Sequence, residues 1–151
     1  MANADAVGQL YLDSFGYGRV GIVVATPLNT AGNAVVTIPL LSGGLTNANA
    51  TVGSGSFIPR RITVLNPSGS IASANVSITT SNDGNISNAV VANVVLSSVS
   101  AAGKFQDLTV AYTANTAITG YQTSALYVNV NTASGNANTV TIAVYGDVVS
   151  F

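Results

Sequence analysis

From residue 19 onward, apolar and polar positions alternate with a period of two, the pattern of strands that bury one face. Val20, Ile22 and Val24 alternate with Gly21, Val23 and Ala25, and Val36, Ile38 and Leu40 alternate with Val35, Thr37 and Pro39. Ile58, Arg60, Ile62 and Val64 share one face of a third segment, with Arg61, Thr63 and Leu65 on the other. Ala74, Val76 and Ile78 alternate with Asn75, Ser77 and Thr79, and residues 89–96 form a short apolar run rich in β-branched side chains. Leu108, Val110 and Tyr112 mark a sixth strand. Leu126, Val128 and Val130 mark a seventh, and Val140, Ile142 and Val144 an eighth. The predicted strands lie near 20–26, 34–41, 57–65, 72–80, 89–96, 105–113, 124–131 and 139–149. A one-residue slip in the last two would expose three side chains, each worth about 1.5–3 kcal/mol of burial.

The breaks between these runs carry turn chemistry. Asn66-Pro67-Ser68-Gly69 has proline in the favoured second position, and Asn82-Asp83-Gly84-Asn85 predicts a hairpin corner. The loop 132–138 is short and contains Gly135, so the last two strands are expected to pair as a hairpin. Pro39 cannot donate to a ladder, which places its strand at an edge or a bulge. The stretch 42–56 is loop-like and long enough to be functional. Residues 1–18 hold no sustained period; Tyr11, Phe15 and Tyr17 stand there among glycines and polar residues, and the segment reads as an N-terminal arm or lead-in strand ahead of a single body, 19–151.

Eight antiparallel strands with uneven loops predict an all-β, two-sheet sandwich, specifically an eight-stranded jelly roll. An immunoglobulin-like sandwich stays open, without the buried Trp and Cys pair of its best-known members. No repeat unit recurs, which disfavours a solenoid.

Composition removes most chemistry. The chain of 151 residues has no His, Cys or Trp, and its five acidic residues are all Asp, so it has no Glu. Its charges are Asp5, Asp13, Asp83, Asp107, Asp147, Arg19, Arg60, Arg61 and Lys104. General acid–base and nucleophilic catalysis need groups that are almost missing here, so no enzyme, no metal and no cofactor is expected. Serine chemistry has no base to draw on: Ser100 lies four residues before Lys104, outside a Ser-x-x-Lys frame. Four basic residues cannot neutralise a phosphate backbone, which argues against nucleic acid. No apolar run reaches the length of a membrane helix. With 6% charged residues against about 25% in an ordinary domain, a net charge of −1 and mean hydropathy of +0.48, the surface favours association over colloidal repulsion.

Other motifs have ordinary readings. Asp83 could hint at calcium, but no second carboxylate is near in sequence and a turn suffices. The glycosylation-type triplets at Asn49, Asn75 and Asn85 are what chance gives with 16 Asn, 16 Ser and 16 Thr. In the Arg60-Arg61 pair, adjacent strand residues should point to opposite faces, so one would turn inward toward a partner such as Asp107 or Asp147, unless the pair snorkels to solvent.

Three segments, Arg61–Gly69, Lys104–Tyr112 and Leu126–Asp147, together resemble the small decoration, or cement, proteins of tailed-phage capsids. The resemblance implies a jelly roll, a homotrimer, seated on a capsid lattice and binding the major capsid protein. The start Met1-Ala2-Asn3-Ala4-Asp5 shows neither a basic nor a continuous apolar leader region, which fits the expectation of assembly in a host cytoplasm and a place on the virion surface, as signal-independent export or a leader already removed would fit it too. The candidate contacts are Tyr11, Phe15, Tyr17, Arg19, Arg60 and Arg61. The alternative is a fibre, adhesin or carbohydrate-binding sandwich, for which clustered exposed aromatics would speak, with Tyr17, Phe57 and Tyr121 as candidates.

Overall fold

The computed structural model describes residues 15–40, 56–119 and 123–149. Eight strands form in chain order: β1 (Phe15–Pro27), β2 (Gly32–Pro39), β3 (Ser56–Leu65), β4 (Asn75–Thr79), β5 (Ala89–Val95), β6 (Gln106–Leu108), β7 (Ala125–Thr132) and β8 (Thr139–Val149). One turn of 3-10 helix, Ile86–Asn88, precedes β5, and a single helical turn, α1 (Thr116–Thr119), precedes β7.

The strands make two four-stranded antiparallel sheets, β1-β8-β3-β6 and β2-β7-β4-β5. The pairs β1·β8, β2·β7, β3·β6 and β4·β5 are those of one long hairpin rolled over itself, which is the jelly roll the strand count predicted. Inward side chains of both sheets meet in one core, including Val20, Leu28, Ile38, Ile62, Val64, Ile78, Leu96, Leu126, Val128, Val140 and Ile142. Val128 and Val140 are both fully buried, as their central places in the alternation require.

Rolling the hairpin has a consequence that alternation does not reveal. Every connection crosses from one sheet to the other except β4–β5. The expected β7–β8 hairpin is therefore wrong: the two strands lie in different sheets, and loop 133–138 is an arch, tied to the β1–β2 loop by Ser134 N–H donating to Leu28 O (2.8 Å). The Asn82–Asn85 turn does close a hairpin, though within a nine-residue loop. Gly84 takes φ +72°, and the Asp83 carboxylate accepts from Ser81 Oγ (2.6 Å) and Asn85 N (2.9 Å). Those two bonds, the hydroxyl first, hold its pKa below the usual carboxylate value. Both bonds fall on Oδ1, so the carboxylate serves the turn.

β6 is shorter than its pattern predicts. After Leu108 the chain leaves β3, and Ala111 N–H donates to Val90 O of β5 (2.9 Å). Val110 and Tyr112 keep packing on the core, so the period persists while the partner strand changes. β1 starts earlier than predicted: Phe15–Gly18 pair with Gly146–Val149. The boundary at residue 18 thus falls inside a strand, while residues 1–14, with Tyr11, and the loop 41–55 lie outside the described residues, as does Tyr121.

β2 is an edge strand, as Pro39 required, and it also bulges. Asn33, Ala34 and Val35 stand opposite the single Asn129, because Gly32 pairs with Val130 and Val36 with Val128. The bulge leaves Ala34 N–H without a ladder carbonyl, and Asn129 Oδ1 accepts it at 2.8 Å. Asn129 Nδ2 donates to Thr79 Oγ1 at 3.0 Å. Asn129 is therefore 1% exposed although it sits on the outward side of β7.

Candidate functional site: the outer face of the β1-β8-β3-β6 sheet

On or beside the outer face of this sheet stand all the charged side chains of the described residues except Asp83. Residues directly opposite across a ladder present their side chains on the same face. Tyr145 of β8 pairs with Arg19 on one side and Arg61 on the other. In the next row outward, Ile22, Ala143, Thr63 and Asp107 stand opposite one another. Lys104 and Phe105 enter from the loop before β6. Arg61, Lys104, Phe105 and Tyr145, with Thr63, Leu65, Asn66 and Gly103, line an open depression of about 430 Å³.

Both arginines of the pair are exposed, the solvent-facing of the two readings; neither turns inward. Pro59 pairs with Gly146 and Arg61 with Tyr145, so Arg60 is the extra residue of a β-bulge and the simple alternation is broken there. Each takes its own aspartate. Arg61 grips Asp107 bidentately, Nε to Oδ1 and Nη2 to Oδ2, both at 3.0 Å, and its guanidinium lies 5.8 Å from the Tyr145 ring centroid. Thr63 Oγ1 donates to the same carboxylate at 2.5 Å. The hydroxyl first, and then Arg61, hold the Asp107 pKa below its ordinary value. The contribution of this pairing to stability is present above pH 3.8 and is lost as pH falls through the lowered value.

Arg60 Nε donates to Asp147 Oδ2 at 2.8 Å. Beside it, Ile58, Arg60, Tyr112, Thr116 and Ala117 line a second hollow of about 230 Å³. Tyr112 Oη donates to Pro59 O at 2.5 Å, and burial pushes its pKa up to about 12. Arg19 and Lys104 make no ion pair among the described residues. Apolar surface completes the face: Phe105 is 59% exposed and Val24, at a β1 bulge where Ala25 takes φ 52°, is 62% exposed.

The sheet edges, by contrast, are poorly suited to pairing with another chain. β6 is three residues long, and β1 carries two register shifts. β2 carries a bulge and Pro39. On β5, the Val95 and Val90 carbonyls accept from Gln106 Nε2 (3.0 Å) and Ala111 N (2.9 Å).

Of the residues singled out from sequence, Arg19, Arg60 and Arg61 come together on this face, and Tyr17 pairs with Asp147 in the neighbouring row. Phe57, a candidate for an exposed saccharide-stacking aromatic, is a core residue at 3% exposure. Lys104 and Phe105 were missed. The inward face set by Leu108 already implies that residues 105 and 107 point outward, which is the signal for Phe105; Lys104 has the parity of Leu108 and lies in the loop before β6, so alternation gives no signal for it.

Chemically, the face offers cations, two aromatic rings and amide and hydroxyl donors, groups that can make ion pairs, stacking contacts and hydrogen bonds. Among the described residues, no three His, Cys, Asp or Glu gather to hold a metal ion, and no helix is long and apolar enough to cross a membrane. Comparison with family models, with curated proteins and with solved structures found no match to the chain.

Proposed function

We propose that this protein is a non-enzymatic structural component of a virion, a decoration or cement protein that self-associates, docks on a capsid lattice and stabilises it. The attachment face is the outer face of the β1-β8-β3-β6 sheet. The observation that carries the reading is the placement of charge: in a chain with four basic residues, all four stand on or beside this face, among exposed Val24 and Phe105, while the sheet edges are blunted. Many weak contacts made by one copy become firm attachment when several copies bind one lattice together. Catalysis has little to work with, since the chain has neither His, Cys nor Glu. A saccharide-binding module is the second reading, favoured by exposed Phe105 beside Asn66 and Arg61 in one depression.

The test is cosedimentation with shells assembled from a capsid protein encoded beside this gene. The wild-type chain is expected to pellet with the shells. Lys104→Glu combined with Phe105→Ser is expected to pellet at least about tenfold less, the loss of one aromatic anchor and one charge contact, while keeping its melting temperature. Equal binding by the variant, or the absence of any capsid gene nearby together with capture on a glycan surface, would replace this reading with the second one.

A further inference from the structure

We infer that the outer face of the β1-β8-β3-β6 sheet also receives the N-terminal segment, residues 1–14, of a second copy of this chain. The inference deepens the attachment-face reading and rests on it only for the choice of face.

Charge supplies the first argument. Residues 1–14 contain Asp5 and Asp13 and no basic side chain. The remainder holds all four basic residues and three aspartates. Two of those aspartates, Asp107 and Asp147, are engaged by Arg61 and Arg60. Arg19 and Lys104 are left with no ion pair among the described residues, on the same face as the apolar surface of Val24, Leu65 and Phe105. The segment offers matching chemistry: Leu10, Tyr11 and Leu12 directly precede Asp13.

Chain direction supplies the second. β1 runs from Phe15, opposite Val149, to Pro27, opposite Thr139. Residues 1–14 therefore join the sheet at the end away from Leu65, which pairs with Thr141, and from Phe105, which precedes β6. Docking on its own body would require the segment to reverse at Phe15, whereas a neighbour's face needs no reversal. Fourteen extended residues span up to about 46 Å, ample to reach an adjacent copy.

The experiment is sedimentation velocity on the full-length chain over a range of concentrations, with melting curves to check folding. The wild-type chain should self-associate. Arg19→Glu with Lys104→Glu should weaken association about tenfold, because reversing two exposed charges removes two weak attractions and adds two repulsions. Adding Asp5→Lys and Asp13→Lys to that variant should restore it. A wild-type chain that stays monomeric at high micromolar concentration, a reversal without effect, or a failed restoration would each overturn the inference. Shell binding by a monomeric wild-type chain would sink it while leaving the attachment reading intact; self-association without shell binding would do the opposite.

Discussion

Val128→Asp is expected to abolish the cooperative thermal transition. Val128 is fully buried and stands between its ladder partners Val36 and Ile78, in the middle of the β2-β7-β4-β5 sheet. The substitution forfeits about 1.5–3 kcal/mol of apolar burial. It also puts a carboxyl among aliphatic side chains with no donor beside it, adding a penalty of several kcal/mol whether the group stays charged or takes a proton. Against a total stability of about 5–15 kcal/mol, this leaves little or no folded population. The neighbouring Asn129→Asp tests the register in finer detail. Alternation alone places residue 129 outward and predicts tolerance. The bulge at Asn33–Val35 instead buries its amide between Ala34 N and Thr79 Oγ1, whose own proton goes to Ser81 O at 2.7 Å. Replacing Nδ2 by a carboxylate oxygen sets two acceptors against each other, and the expected cost is about 1–3 kcal/mol or more. Circular-dichroism melts would show a lost transition for the first variant and a lowered one for the second; a wild-type melting curve for either would mean the register is wrong.

Gly146→Ala should lower the melting temperature by roughly 10 °C, with Gly18→Ala as the control. β8 is central in its sheet, and both neighbours bulge beside it, β1 between Arg19 and Gly21, β3 between Pro59 and Arg61. The β3 bulge brings backbone against Gly146: a Cβ there would run into the Ile58 carbonyl and lie 2.9 Å from Pro59 Cα. Backbone cannot rotate aside as a side chain can, so the strain falls at or above the upper end of the usual overpacking range, about 3 kcal/mol, which for a domain of this size corresponds to roughly 10 °C. Gly18 lies directly opposite Gly146 in the ladder, yet a Cβ there meets nothing within 4 Å. Its alanine variant is expected to melt close to wild type. Equal shifts for the two would show that the cost comes from glycine's backbone freedom and not from the β3 bulge.

What could be read from sequence, and what could not, follows the range of the forces involved. The strands themselves are written in a period-two pattern that each carries by itself, and the inward faces of β2, β4, β7 and β8 follow from it; in β1 and β3 bulges break the phase, so that Val20 is buried while Val24 is exposed, and Phe57 rather than Ile58 enters the core. Asp83-Gly84 marks the one hairpin among the described strands because a positive φ is a local demand. The β7–β8 connection misled because an arch between sheets and a hairpin within one leave the same trace: two alternating runs and a polar loop. Bulges were invisible for a related reason. The extra residues at Arg60 and at Asn33–Val35 exist only relative to β8 and β7, and these bulges turn Arg60 outward and Asn129 into a buried amide. The candidate face was half legible. Arg19, Arg60 and Arg61 stood out as rare charges, but their convergence around Tyr145 depends on β8 lying between β1 and β3, a pairing across more than 80 residues. Phe105 was legible in principle from Leu108, at the price of trusting a three-residue strand; Lys104, in the loop before it, was not.

The central claim, that this jelly roll attaches through the outer face of its β1-β8-β3-β6 sheet, is open to a direct footprint because the chain has no cysteine of its own. Single cysteines at Lys104 and at Val24 would report on that face, and one at Asn93, exposed on the outer side of β5, on the opposite sheet. The rate of maleimide labelling, measured on the free chain diluted to the monomer and on assembled particles, is predicted to fall sharply at positions 24 and 104 and to stay unchanged at 93. Protection at 93 with free labelling at 24 and 104 would contradict the account.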